Sequence, residues 1–180
     1  MSIVIRTETP ADAAGIAKLV TASFFTAEHA DGNEAALVAA LRATPDYDPR
    51  LALVAEEAGE LTGFAMMTKG AVPIASGGTL PILVLAPVAV RPDRQRRGVG
   101  TRLCEALLEA GKKAGYTGAV VLGDPAYYGR FGFVEAERFG LRFPFDVPSC
   151  YALALSWRED AWKDASGTVT FSRAFFPEET

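Results

Sequence analysis

The sequence predicts an α/β (α+β) domain in which strands and helices mix, and three observations carry that prediction. A short alternating segment precedes two helical ones, two apolar runs meet at a tight turn, and a long apolar run passes through a glycine-bearing turn straight into an amphipathic helix. At 180 residues, 49% apolar and 22% charged, the chain has the length and composition of one globular domain with a real core.

Residues 3–7 alternate apolar and polar as a short strand does. Thr9-Pro10-Ala11-Asp12 then offers a cap and an early proline for a helix running towards Phe25. Ala13, Ile16, Ala17, Val20 and Phe24 recur at helical spacing and define its apolar face, leaving Lys18 and Thr21 for water. A second helix covers residues 33–42 and stops before the breaker region from Pro45 to Pro49. Residues 51–57 and 61–67 are apolar runs joined by Ala58-Gly59-Glu60, which reads as a β-hairpin.

Residues 80–90 are almost wholly apolar, as in a central strand with both faces covered. Pro87 has no N–H to give to a ladder, which leaves two readings: the chain bulges or leaves its neighbour there, making room for a ligand, or Pro87 sits on a sheet edge. Residues 100–114 form an amphipathic helix with Leu103, Ala106, Leu107 and Ala110 on one face, Arg102, Glu105 and Glu109 off it, and Gly115 as its cap. Then follow a short buried strand at 119–122, a helical turn at 125–130, an extended stretch from Phe133, and strands at 151–157 and 168–172. No repeat, low-complexity tract or linker divides the chain, so residues 1–180 are read as a single domain, with a core of about 3–134 and a strand-rich C-terminal extension over 135–180.

The net charge of −4 argues against a surface that tracks nucleic acid, and no nucleic-acid partner is expected. Even so, Arg91, Arg94, Arg96 and Arg97 gather positive charge in one place. The start has no cationic segment leading into an apolar run, and no stretch approaches the roughly 18 apolar residues a bilayer requires. The expectation is a cytoplasmic chain with no membrane partner. Cys104 and Cys150 offer neither a disulfide framework nor metal-like spacing; they read as buried reduced thiols, with no metal site.

The strand ending at Val90 leads into Arg91-Pro92-Asp93-Arg94-Gln95-Arg96-Arg97-Gly98-Val99-Gly100 and then into the helix. A glycine-rich turn at a helix N-terminus leaves backbone N–H groups unpaired and pointing one way, where they can surround a diphosphate with help from the helix dipole. Gly98 and Gly100 allow the backbone to come close, and the arginines add charge. The same two glycines also suit a merely tight connection. No Lys-Ser or Lys-Thr follows them as in a Walker A loop, and no third glycine completes a dinucleotide fingerprint.

These residues resemble the GCN5-related N-acetyltransferase (GNAT) family. Its central signature reads here Gln95-Arg96-Arg97-Gly98-Val99-Gly100 after Val88-Ala89-Val90-Arg91-Pro92, and its second element reads Tyr128-Gly129-Arg130-Phe131-Gly132-Phe133. The opening strand, two helices and hairpin follow the family's order. Residues after Val134 are similar to a bacterial subgroup of predicted N-acetyltransferases. The resemblance implies a mixed, mostly antiparallel twisted sheet flanked by helices and splayed at its central strands, with acetyl-CoA as co-substrate. It implies that main-chain amides of Gln95, Arg96, Arg97, Gly98, Val99 and Gly100 hold the CoA diphosphate, that Val88 and Val90 pair with the pantetheine arm, and that Tyr128 faces the sulfur. Asp124 stands where relatives often present Asn to the cofactor.

Acyl transfer from a thioester needs a neutral amine, a donor for the developing oxyanion and a proton for the departing thiolate. The Val88 amide is the candidate donor and Tyr128 the candidate acid, although Tyr127, Tyr128, Phe131 and Phe133 also read as an aromatic core cluster. Residues 80–90 contain no acid to serve as base. Glu28, His29, Asp31 and Glu34 could act through water, and His29 equally suits an exposed loop. The expected function is N-acetyl transfer from acetyl-CoA to a primary amine by direct transfer, with a small-molecule amine or a peptide or protein N-terminus as acceptor. The alternative is a noncatalytic CoA-binding or protein-interaction module of the same fold. The apolar C-terminal strands offer a surface through which a homodimer would form.

Overall fold

A computed structural model describes residues 2–25, 27, 28 and 30–177 of the chain. Strand β1 (Val4–Thr7) leads through a capping box between Thr9 and Asp12 into α1 (Ala13–Phe24), and α2 (Glu34–Arg42) follows. The hairpin comprises β2 (Ala52–Glu57) and β3 (Glu60–Pro73), and β3 pairs back onto β4 (Thr79–Val90). After the turn come α3 (Val99–Lys113), β5 (Gly118–Leu122), α4 (Pro125–Tyr128), β6 (Val134–Glu135), β7 (Leu141–Arg142), β8 (Ala152–Ser156) and β9 (Gly167–Thr168).

Seven strands form one sheet in the order β1-β2-β3-β4-β5-β8-β6, and β7 and β9 form a separate parallel ribbon. Within the large sheet only β4 and β5 run parallel, which gives the mixed, mostly antiparallel sheet expected from the motifs. Period-2 alternation divides its side chains between two faces. Leu53, Ala65, Met67, Leu83 and Leu85 meet Leu103 and Leu107 of α3 on one face. Val54, Phe64 and Met66 meet Ile16, Val20, Val38 and Leu41 of α1 and α2 on the other. The rest of that second face, around Ile82, Val84 and Val120, is covered by Leu141, Trp162, Val169 and Phe171.

Four expectations need correction. The buried stripe of α1 is Ile16, Leu19 and Val20, whereas Ala13 and Ala17 are exposed. An i, i+3, i+4 pattern built on large side chains wins over one built on alanines, because more apolar area leaves water. Strand β3 runs past Met67 to Pro73, since β4 supplies partners along its whole length. The strand expected at 168–172 shortens to Gly167–Thr168 plus one bridge between Thr170 and Ala71. Cys104 is buried as expected, but Cys150 is exposed, in the 3-10 turn Ser149–Tyr151 ahead of β8.

Pro87 is not on a sheet edge. Strand β4 lies between β3 and β5, and its register with β3 passes from Leu85 opposite Met67 to Val88 opposite Ala65, so Ala86 and Pro87 together face the single residue Met66. That is a bulge. On the other side, β5 pairs with β4 only at Leu83 and Val84, after which the two strands part. Among the described residues, no helix is long and apolar enough to cross a membrane.

Candidate functional site

Where β4 and β5 part, the antiparallel ladder with β3 turns alternate N–H and C=O groups of β4 away from its one remaining neighbour. Arg91 N–H returns to the ladder at Thr62 O (2.9 Å), so the groups of Val90, and of Val88 in phase with it, face the opening. At Val90 both are occupied: its N–H donates to Ser23 Oγ at 3.2 Å, and its C=O accepts from Gln95 Nε2 at 3.1 Å. The opening is a cleft of about 520 Å³ lined by Val88 and Val90, the turn, and the two tyrosines of α4.

The turn begins with a 3-10 segment, Pro92–Arg94, in which Arg94 N–H donates to Arg91 O at 2.8 Å. Helical bonding resumes only when Arg102 N–H donates to Gly98 O at 3.0 Å. Between these points the N–H groups of Arg96, Arg97, Gly98, Val99, Gly100 and Thr101 have no hydrogen-bond partner among the described residues. Two left-handed residues shape this stretch, Arg96 at φ 60° and Gly98 at φ 82°. For Arg96 that conformation costs on the order of 1 kcal/mol, and alternating hands turn successive N–H groups inward into an anion-binding nest. The helix that follows adds its positive end. Gly100 acts differently, through close packing. A Cβ there would stand 2.8 Å from the Tyr127 hydroxyl, so its hydrogen lets α3 and α4 close up.

The four arginines of the turn fall into two pairs. Arg91 is held by Asp93 at 2.6 Å and Glu60 at 3.0 Å, and Arg94 by Glu57 at 3.2 Å. Arg96 and Arg97 have no ion pair among the described residues, so the free charge lies at the end of the turn nearest α3. Arg96 lines the cleft and Arg97 does not.

Asp124 turns its carboxylate to the Ala126 N–H at 2.9 Å, and its carbonyl accepts from the N–H groups of Tyr127 and Tyr128, both at 3.0 Å. It is outside the cleft lining, and its observed work is to cap α4. That cap fixes Tyr128. The Tyr128 ring packs so close to Gly123 that a Cβ there would lie 2.3 Å from it, and it meets the rings of Tyr127 at 4.9 Å and Phe133 at 6.0 Å. The aromatic-cluster reading of Tyr128 is observed, and the residue also lines the cleft, with a hydroxyl that has no hydrogen-bond partner among the described residues. Burial, followed by the nearby Cys104 and Tyr127, pushes its pKa above the ordinary tyrosine value.

The cleft thus brings together Tyr128, Val88, Val90, Gln95, Arg96, Gly98, Val99 and Gly100 from the expected set. It adds Ser23, Thr101, Tyr127 and Arg130, to which the sequence reading gave no part in the site. Tyr127 and Arg130 sit in or beside the second motif and were within reach of that reading, whereas Ser23 carries no local signal because α1 is distant in sequence. Of the acids proposed to act through water, Glu28, Asp31 and Glu34 do not line the cleft, and Glu34 instead accepts the Asp31 N–H at 3.2 Å. His29 lies outside the described residues. No cluster of His, Cys, Asp or Glu suited to a metal ion occurs among the described residues. Unpaired amides, free arginine charge and an open strand edge fit a ligand with a phosphate end and an amide-bearing arm.

Comparison with known proteins bears on the same residues. The acetyltransferase (GNAT) family profile matches residues 16–133. The uncharacterized N-acetyltransferase YhbS of Escherichia coli (strain K12) is 32% identical over 174 residues, covering 96% of this chain and 98% of that protein. Two solved structures are similar throughout. A GNAT family acetyltransferase from Brucella melitensis in complex with acetyl-CoA is 33% identical with a TM-score of 0.77, covering 97% of this chain and 98% of the other. YhbS from Escherichia coli in complex with CoA is 31% identical with a TM-score of 0.84, covering 96% and 91%.

Proposed function

The chain belongs to the acetyltransferase (GNAT) family, and from that premise we propose that it moves an acetyl group from acetyl-CoA directly to a primary amine in the cleft between β4 and β5. The observation that carries this reading is the run of unpaired amides from Arg96 to Thr101, continuous with the open edge of β4 at Val88. These six N–H groups, on an exposed turn and the first turn of α3, are free to bond an anion, and a diphosphate is the kind of group they suit. The relatives solved in complex with acetyl-CoA and CoA point to the same ligand.

In the reaction the thioester C–S bond breaks and an amide C–N bond forms. The Val88 N–H donates to the carbonyl oxygen as it gains charge, and the Tyr128 hydroxyl gives its proton to the departing sulfur. The acceptor nitrogen loses its proton to solvent, since no acid lies in Thr79–Val90 to take it. For a lysine-like amine with pKa about 10.4, reaching the neutral form at pH 7 costs roughly 4 to 5 kcal/mol, against about 1 for an α-amine. The acceptor is a small-molecule amine or a peptide N-terminus. Val88 and Gln95 through Gly100 hold the cofactor; pairing at Val90 requires the Ser23 and Gln95 side chains to move aside.

Thiol release from acetyl-CoA against a panel of amines tests the reaction. Tyr128→Phe is expected to lower kcat about 100-fold with CoA affinity kept; unchanged turnover removes Tyr128 from the mechanism. The pH profile gives a second readout. A general acid works protonated, and the raised Tyr128 pKa keeps it so, hence kcat should hold up to about pH 10. A fall beginning well below that value assigns the proton to another group.

A further inference from the structure

We infer that Leu122 selects the amine acceptor, and that the acceptor is an α-amine whose adjoining carbon carries an apolar group; this deepens the acetyl-transfer reading above and rests on it. Leu122 is the last residue of β5 and, in the register set by Val84 opposite Val120, stands level with Ala86 at the bulge of β4. The two residues therefore flank the point where the strands part.

Alternation along β5 puts Leu122 on a definite face. Val121 packs towards α3, and a Cβ on Gly123 would lie 2.3 Å from the Tyr128 ring, so the residues before and after Leu122 belong to the face that carries the cleft. Leu122 points the other way, with Val120 and its cross-strand partner Ala152. On that second face Val84 and Val120 are sealed beneath the cover around Trp162 and Phe171, and Ala89 is fully buried against α1. Between them Ala86 is only half-buried and Leu122 is 43% exposed, so the cover has a gap level with the bulge.

Val88, Val90 and Tyr128 pack on the α3 face, where the cofactor is read to lie, so an amine has to reach the thioester carbon from the second face, through that gap. The side chains that flank it, Ala86 and Leu122, are apolar and offer no charge to a polyamine or an amino sugar. The cleft behind them is cationic through Arg96 and Arg130 and has no carboxylate or imidazole in its lining among the described residues. An acceptor with several positive charges is repelled there, and one that must shed a proton finds no base. An α-amine eases the second difficulty, being neutral far more often at pH 7 than a lysine-like amine, and an apolar group beside it gains by covering Leu122. The bonds made and broken are those of the acetyl transfer above, and the proton of the α-nitrogen passes to solvent.

Thiol release from acetyl-CoA by the whole protein, with leucinamide, glycinamide, a peptide beginning with leucine and spermidine as acceptors, provides the test. The parent should favour leucinamide over glycinamide about tenfold in kcat/KM, with spermidine poorest. Leu122→Ala should erase that preference while leaving the KM for acetyl-CoA and the rate with glycinamide as they were. Leu122→Met keeps the apolar bulk and should retain the preference, which tells a loss of selection from a loss of folding. Faster turnover of the peptide names a chain N-terminus as the source of the α-amine, and faster turnover of leucinamide a free amino-acid derivative; both support the inference. Equal rates with leucinamide and glycinamide in the parent, a preference that survives Leu122→Ala, or spermidine as the best acceptor overturns it. Thiol release with none of the amines instead takes down the acetyl-transfer reading, and the inference with it.

Discussion

Between Thr79 and Leu85, β4 is paired with β3 throughout and gains β5 as a second neighbour at Leu83 and Val84, and Ile82, Leu83 and Val84 are essentially without solvent contact; from Ala86 to Val90 the same strand has β3 on one side and a cleft on the other. Both halves are apolar in sequence. The difference comes from where β5 stops pairing and where Pro87 interrupts the ladder, so hydrophobicity places a strand in a sheet without saying whether its hydrogen-bonding edge is used. In the first half, backbone groups go to neighbouring strands, and side chains go alternately to α3 and to the cover around Trp162 and Phe171. In the second, Val90 borrows partners from Ser23 and Gln95, and the turn beyond has no partners for six amides.

Substitutions can break this contrast from either end. The largest effect is expected in the closed half: Ile82→Ala, fully buried, should cost about 2–5 kcal/mol of stability in a denaturant titration. A cost below about 1 kcal/mol would mean that the cover around Trp162 and Phe171 is loosely packed. In the open half, stability and binding should come apart. Gly98→Ala meets no neighbouring atom but carries φ 82° into a residue with a Cβ. That strain, about 1 kcal/mol, tilts the turn away from its nest geometry, and CoA affinity should fall about tenfold in a calorimetric titration. Affinity unchanged from the parent would show that the N–H groups of the turn are not the seat.

The smallest effect sharpens the contrast beneath the cleft floor. Cys104 on α3 is fully buried, and burial pushes its thiol up to about 12, while Cys150 is exposed. At pH 8 an aromatic disulfide reagent should label Cys150 at once and leave Cys104 untouched until denaturant is added. Rapid labelling of both would mean that the opening between β4 and β5 continues into the core.

The fold was legible where local rules decide it. Hairpin and helix boundaries fell within a few residues of their turn and cap signals, and the order of motifs placed the turn at the head of α3. Misjudged parts depended on partners far away in sequence. The buried face of α1 follows from which side chains meet Phe64 and Met66, and the length of β3 follows from β4.

By itself the sequence determined the chemistry available to the site: two glycines and free amides at a helix start, a strand interrupted by proline, and a tyrosine in a compact aromatic motif. Only the tertiary structure decided how those parts are used. It closed Arg91 and Arg94 into ion pairs, turned the Asp124 carboxylate into a helix cap, lent Ser23 to Val90 and stacked Arg130 on Tyr127. The physical reason is that backbone conformation and periodicity are set by neighbours in the chain, whereas a polar group's partner is whichever group folding brings within about 3 Å.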